Sequence, residues 1–306
     1  MSTVADVINW TREEVLDDTD SQKYLWSNTE LIHLLNRAIN ELVKSALPIR
    51  DQTTEAIRTI KLISNVGVYA LDSRVISVHD ARLETNSSFG PLLRTTESVL
   101  DKTISDWRST TGIPSRFCPG AYSGYLSIYP KFDDEGEVTG ASNITFNGVT
   151  ISQVGGDFSD FAVGDEFYVS GTTSNDGYYT VATEGTTSIT VTDALVCEAN
   201  TNAILRKVRD TLLMTVSRLP TARFAVSDIT SLTEITDIQE DLIDDLVDGI
   251  AKRAFLKPDK YTYFPQKAEY HRGLFEEAKR NAKRKGILLN KPDKTFTIRS
   301  GSGIGY

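Results

Sequence analysis

A strand-like segment, Gly124-Tyr125-Leu126-Ser127-Ile128-Tyr129-Pro130, stops at a proline. The segment best suited to pair with it as a hairpin, 211–220, arrives only after a separate run of glycine-punctuated strands. Amphipathic helices flank this β-rich region, two before it and two after. Such an order constrains the chain to gather its two ends around a β middle that carries a planted module. The predicted fold class is α+β: a helical bundle from the N- and C-terminal helices, a central antiparallel β region, and an inserted small β-sandwich or barrel. The expected division is a discontinuous core of 1–136 and 208–290, a β module of 137–207, and a C-terminal tail of 291–306.

The helices are read from apolar spacing and end signals. The first spans 3–16, opened by a Thr3/Asp6 capping pair and closed by the acidic cluster at 17–20. The second, 27–47, starts at a Ser27/Glu30 capping box and carries the stripe Leu31, Leu35, Ala38, Ile39, Leu42 and Ala46, with Leu34 and Val43 widening it. Pro48 stops it. The third covers 237–256 with Leu242, Ile243, Leu246, Val247 and Ile250 facing inward. The fourth covers 265–285, with Pro265 at its first position and Gly286 as its stop.

Strands are expected at 57–62, 67–70, 74–78 and 82–84, and a short helix or turn at 100–107 precedes 112–117. Inside the module the candidates are 143–146, 165–169, 178–181, 188–191 and 203–205, with Asn175-Asp176-Gly177 as a strong turn.

Composition narrows the function classes. A net charge of −9 over 306 residues is not the basic footprint of a general nucleic-acid binder. Cys118 and Cys197 form neither a disulfide framework nor a zinc pattern, which suits a reduced assembly environment. No signal peptide is visible, and no run reaches the ~18 apolar residues of a membrane span.

Candidate chemistry is sparse, and the expectation is no catalytic, cofactor or metal site. His33, His79 and His271 lack metal-ligand spacing. Cys118 sits before Pro119 in what reads as a turn without a neighbouring base. Asp157, Asp160 and Asp165 fit no EF-hand pattern. The glycines at 301–305 lack a Walker lysine and any strand-to-helix setting. The module aromatics, among them Phe158, Phe161, Phe167 and Tyr178, could form a carbohydrate platform, but alternation directs about half of them inward, which favours core.

Charge is unevenly placed. From 228 to 248 there are eight acidic residues and no basic one, and from 279 to 285 five basic residues and no acidic one. Solvated helix faces explain this as well as a subunit interface does. In the interface reading, Asp241, Asp244, Asp245 and Asp248 of one copy meet Lys279, Arg280, Lys283 and Arg284 of the next.

The order of several segments resembles the head-to-tail adaptor (connector) proteins of tailed bacteriophages. They are Tyr24-Leu25-Trp26-Ser27 leading to Leu35-Asn36-Arg37-Ala38, then Trp107, Gly112-Ile113-Pro114, Leu126-Ser127-Ile128-Tyr129-Pro130 and Val216-Ser217-Arg218-Leu219-Pro220. In the last arm they are 246–259, Ala268, His271 and Phe275. The insert after Pro130 departs from the short hairpin loop of that pattern and is similar to small β modules of other virion proteins. The resemblance implies a non-enzymatic structural protein of the virion neck, assembled in the host cytoplasm. It also implies a dodecameric ring of self-contacts below the portal protein, joined to a tail or nozzle protein, around a channel that passes double-stranded DNA. The C-terminal region docks on the portal in that family. Here this is the tail bearing Lys291, Lys294, Phe296, Ile298, Arg299 and Tyr306, whose alternation suits an added strand. The alternative is a virion surface or carbohydrate-binding protein acting through the β module.

Overall fold

The computed structural model describes residues 2–289 apart from 21–22, 46–48, 86–89, 121–123, 140–142, 201, 221–222 and 239. The tail residues expected to dock on a portal, Lys291, Lys294, Phe296, Ile298, Arg299 and Tyr306, therefore lie outside the described residues. The fold is a mixture of α-helices and mainly antiparallel sheets, and no helix among the described residues is long and apolar enough to cross a membrane. The chain divides into two compact units, 1–49 with 219–306, and 50–218.

The first unit is helical. Helix α1 (Val4–Trp10) opens with the expected capping box: Asp6 N–H donates to Thr3 Oγ1 at 3.2 Å, and Thr3 N–H donates to Asp6 Oδ2 at 2.8 Å. The predicted single helix to residue 16 is not uniform. It widens into a π-helical turn, Thr11–Leu16, that ends at Asp17 in the left-handed region. The wide turn directs Arg12 inward, where it pairs with the buried Asp18 and donates to the Trp26 carbonyl at 2.8 Å. Asp18 is thus more than the helix-ending charge read from the sequence, because it also accepts from Leu25 N–H at 2.8 Å.

Helix α2 (Asn28–Ser45) buries Leu31, Leu35, Ala38, Ile39 and Leu42 as expected, and Ile32 and Val43 as well. After α5 (Ser227–Thr230) and the 3₁₀ turn Glu240–Leu242 comes α6 (Ile243–Ala254), shorter than the predicted 237–256. Helix α7 (Pro265–Leu289) runs past Gly286, which does not stop it. An interior glycine costs only about 1 kcal/mol, and Ile287, Leu288 and Leu289 are acceptable helix formers. One hydrophobic cluster joins α1, α2, α6 and α7, with Trp26, Phe255 and Phe275 as its largest members. Trp26 Nε1–H donates to the Ala254 carbonyl at 3.1 Å and its ring meets Phe255 edge-on.

The second unit is organised by one long strand. From β1 (Ile49–Asp51) onward come α3 (Glu55–Arg58), β2 (Thr59–Ile63), β3 (Val68–Ala70), β4 (Val75–Leu83), β5 (Leu93–Arg94), α4 (Glu97–Thr103), β6 (Arg116–Pro119) and β7 (Tyr125–Tyr129). These are followed by β8 (Glu137–Thr139), β9 (Ile144–Gln153), β10 (Glu166–Ser170), β11 (Gly177–Thr183), β12 (Ser188–Asn200) and β13 (Ile204–Arg218). The two strands expected at 203–205 and 211–220 are one, β13. Its first part pairs with β8 and β10, and its remainder with β2 and β4.

The expected hairpin between 124–130 and 211–220 does not form. Strand β7 lies between β3 and β6, with Tyr69 opposite Leu126 and Phe117 opposite Ile128. Strand β13 instead pairs with β4, with Leu212 opposite Leu83 and Met214 opposite Ala81. Leu126, Ile128, Leu212, Met214 and Val216 still share one hydrophobic cluster. The two strands therefore bury apolar residues in a common core while belonging to different sheets, because alternation specifies a strand's buried face and leaves its edge partner open. The strands at 74–78 and 82–84 also merge, as β4, and residues 55–58 form a helical turn before β2 where a strand was expected. A third cluster, built from Phe146, Phe158, Phe161, Phe167, Val169 and Leu205 among others, lies within the module segment.

Candidate functional site: the charged faces of the helical unit

The residues suspected of chemistry are occupied otherwise. Cys118 is in strand β6, not a turn. It is fully buried beside Leu100 and Trp107, and burial with Glu97 nearby pushes its thiol up to about 11, far from nucleophilic. His79 Nε2 meets the hydroxyl of Ser217, and burial together with Arg50 and Arg94 favours the neutral ring. In that environment the imidazole faces guanidinium groups and not the orienting carboxylate a Ser–His nucleophile uses. Asp157 accepts from Ser159 N–H, Asp160 from Gly136 N–H, and Asp165 pairs with Lys207. Phe158, Phe161 and Phe167 are core, while Tyr178 is half exposed. His33 lies exposed on α2.

The charges of the helical unit are more informative. Sequence reasoning missed Glu41 on α2. Its carboxylate receives Lys252 Nζ at 2.7 Å, Lys279 Nζ at 3.0 Å and the Arg253 guanidinium. Burial pushes the Glu41 carboxyl up, but the three cations outweigh it and hold it down to about 2. Lys252 and Lys279 also approach the buried Phe275 ring from the Glu41 side, at 4.1 and 5.4 Å from its centroid. A lysine at 252, directly after Gly249-Ile250-Ala251 and two positions before Ala254-Phe255, was the available signal. A position that continues a buried stripe yet carries charge demands a partner.

The sequence-predicted interface residues are not brought together in one place. Asp248 meets His271 Nδ1 at 2.7 Å, and that ring stacks on Phe255. Asp241, Asp245 and Asp248 line a groove of 530 Å³ between α6 and α7 that also contains Arg284, while Asp244 lines an adjoining one with Trp10 and Glu14. Arg280 and Lys283 are exposed on α7. Lys279 is thus committed to Glu41 and Glu276 of its own chain.

The family model for the SU10 adaptor protein matches residues 2–291, and the chain belongs to that family of phage adaptors. No curated protein matches it.

Proposed function

We propose that the chain is the head-to-tail adaptor of a tailed phage virion. Copies of it form a closed dodecameric ring in the neck, between the portal above and a tail or nozzle protein below, around a channel for double-stranded DNA. The observation that carries this reading is the match to the adaptor family along nearly the whole chain. The net charge of −9 supports it, because an acidic lumen repels the passing phosphate backbone and does not grip it. The acidic start of α6 contributes to contacts between neighbouring copies. The tail carrying Lys291, Lys294, Phe296, Ile298, Arg299 and Tyr306 docks on the portal by strand addition. In this reading 1–136 with 208–290 is the adaptor core, and 137–207 is an addition to it.

Electron microscopy of the purified chain mixed with the portal of the same virion tests the reading. The expected result is a ring stacked coaxially on the portal with an open axial channel. Particles in which the portal remains bare at saturating adaptor overturn it.

A further inference from the structure

Helix α7 separates two grooves of opposite character. On one side, between the start of α6 and the second half of α7, the groove has an apolar floor that includes Leu242, Leu274 and Ala278. Its rim carries Asp241, Asp245, Asp248 and Glu277 against Arg284, and the adjoining groove adds Glu14 and Asp244. On the other side a groove of 500 Å³ has Leu256, Pro265 and Ala268 as its apolar part. Lys252, Arg253 and Arg272 rim it, and it runs on at Glu41 and Arg253 into a second groove with Arg37 and Lys44. Glu41, Glu269 and Glu276 offset these cations only in part. At 100° per residue, Glu277 and Asn281 lie about 100–180° away from Arg272 and Glu276 around α7.

Each side therefore presents an exposed leucine, Leu274 at 37% and Leu256 at 50%. The rim at Leu274 has an acidic excess, whereas around Leu256 three cations meet three carboxylates and the positive excess lies alongside, at Arg37 and Lys44. An apolar centre with a charged border is the anatomy of an interaction surface. Two such surfaces of opposite sign on one chain, facing different ways, fit a second copy of the same chain in a head-to-tail contact that repeats.

We infer that the acidic groove of one copy docks on the Arg37–Arg272 face of the next, an inference that rests on the ring reading above. The basic partner of the acidic face is thus the surface around Glu41. The C-terminal run of α7 is not that partner, since its Arg284 already lies in the acidic groove.

The test uses two full-length variants, one with Asp244→Lys and Glu277→Lys, the other with Arg37→Glu and Arg272→Glu. Their oligomers are followed by sedimentation velocity, alone and on the portal. Each variant by itself is expected to associate about tenfold more weakly than wild type, or worse. An equimolar mixture is expected to regain assembly, because every contact in an alternating oligomer again joins opposite charges. Recovery on mixing cannot come from misfolded chains. If either variant assembles like wild type, or if the mixture stays dissociated, the inference is overturned while the ring reading stands. If wild type itself forms no oligomer alone or on the portal, both fall.

Discussion

Ala38 on α2 and Gly249 on α6 approach so closely that a methyl group added at the glycine would lie 2.8 Å from the alanine methyl. The same added atom would come within 2.8 Å of the Phe275 ring. Glycine is used here for room, since its backbone conformation is ordinary helix. Helix propensity alone favours Gly249→Ala by about 1 kcal/mol. Overpacking opposes it by about 1–3 kcal/mol, and the fully buried Phe275 ring has little space to yield. Gly249→Ala is expected to lower stability by up to about 2 kcal/mol in urea denaturation. A midpoint at or above wild type would show that Phe275 moves aside freely.

Glu41 makes stability depend on acid. Its folded carboxyl titrates at about 2, below the ordinary 4.5. Its contribution is fully present above pH 4.5 and fades as the pH falls through about 2. Glu41→Gln removes the anion from the buried Lys252 and from Lys279 and Arg253. With partial exposure weakening the effect, the expected loss at neutral pH is about 2 kcal/mol. Stability measured from pH 6 to pH 2 should fall less steeply in the variant. Parallel curves would mean that Glu41 is not the titrating group.

In the module, Asn175 is buried and serves as a surrogate backbone. Its side-chain carbonyl accepts from Val196 N–H at 2.8 Å, and its amide donates to the Val196 carbonyl at 2.9 Å. Asn175→Ala removes both bonds at a residue, Val196, that is itself exposed, for a cost of about 1 kcal/mol. Hydrogen exchange is the direct readout. The Val196 amide should exchange much faster in the variant, and unchanged protection would refute the pairing.

Thiol titration offers a simple check on the sheet unit. Cys197 is exposed and Cys118 is buried. Native protein should therefore yield one reactive thiol quickly and the second only on denaturation. Fast reaction of both would place Cys118 nearer the surface than β6 puts it.

What could be read from the sequence was what is local. The Thr3/Asp6 and Ser27/Glu30 boxes and the stripe of α2 involve residues three or four positions apart, so spacing alone reveals them. The partner of β7 was not legible, because β pairing joins distant segments that alternate alike. The polar residues Lys207, Arg209 and Asp210 made β13 read as two strands, although each finds a partner across the sheet or in a loop. The Glu41 cluster joins residues more than two hundred positions apart in the chain, and only the misplaced charge at 252 hinted at it. The acidic run before 248 was visible at once, but which cations face it depends on how α6 and α7 fold back on each other.

Strand β13 has a mechanical consequence. Its fifteen residues extend roughly 50 Å, and the same backbone serves the aromatic cluster of the module and the sheet built with β2 and β4. A tether of loops would let an added domain swing and absorb a pull. A strand hydrogen-bonded on both flanks behaves as a spar, so a load applied at the module is carried straight into the sheet that adjoins Asp51 and Arg218.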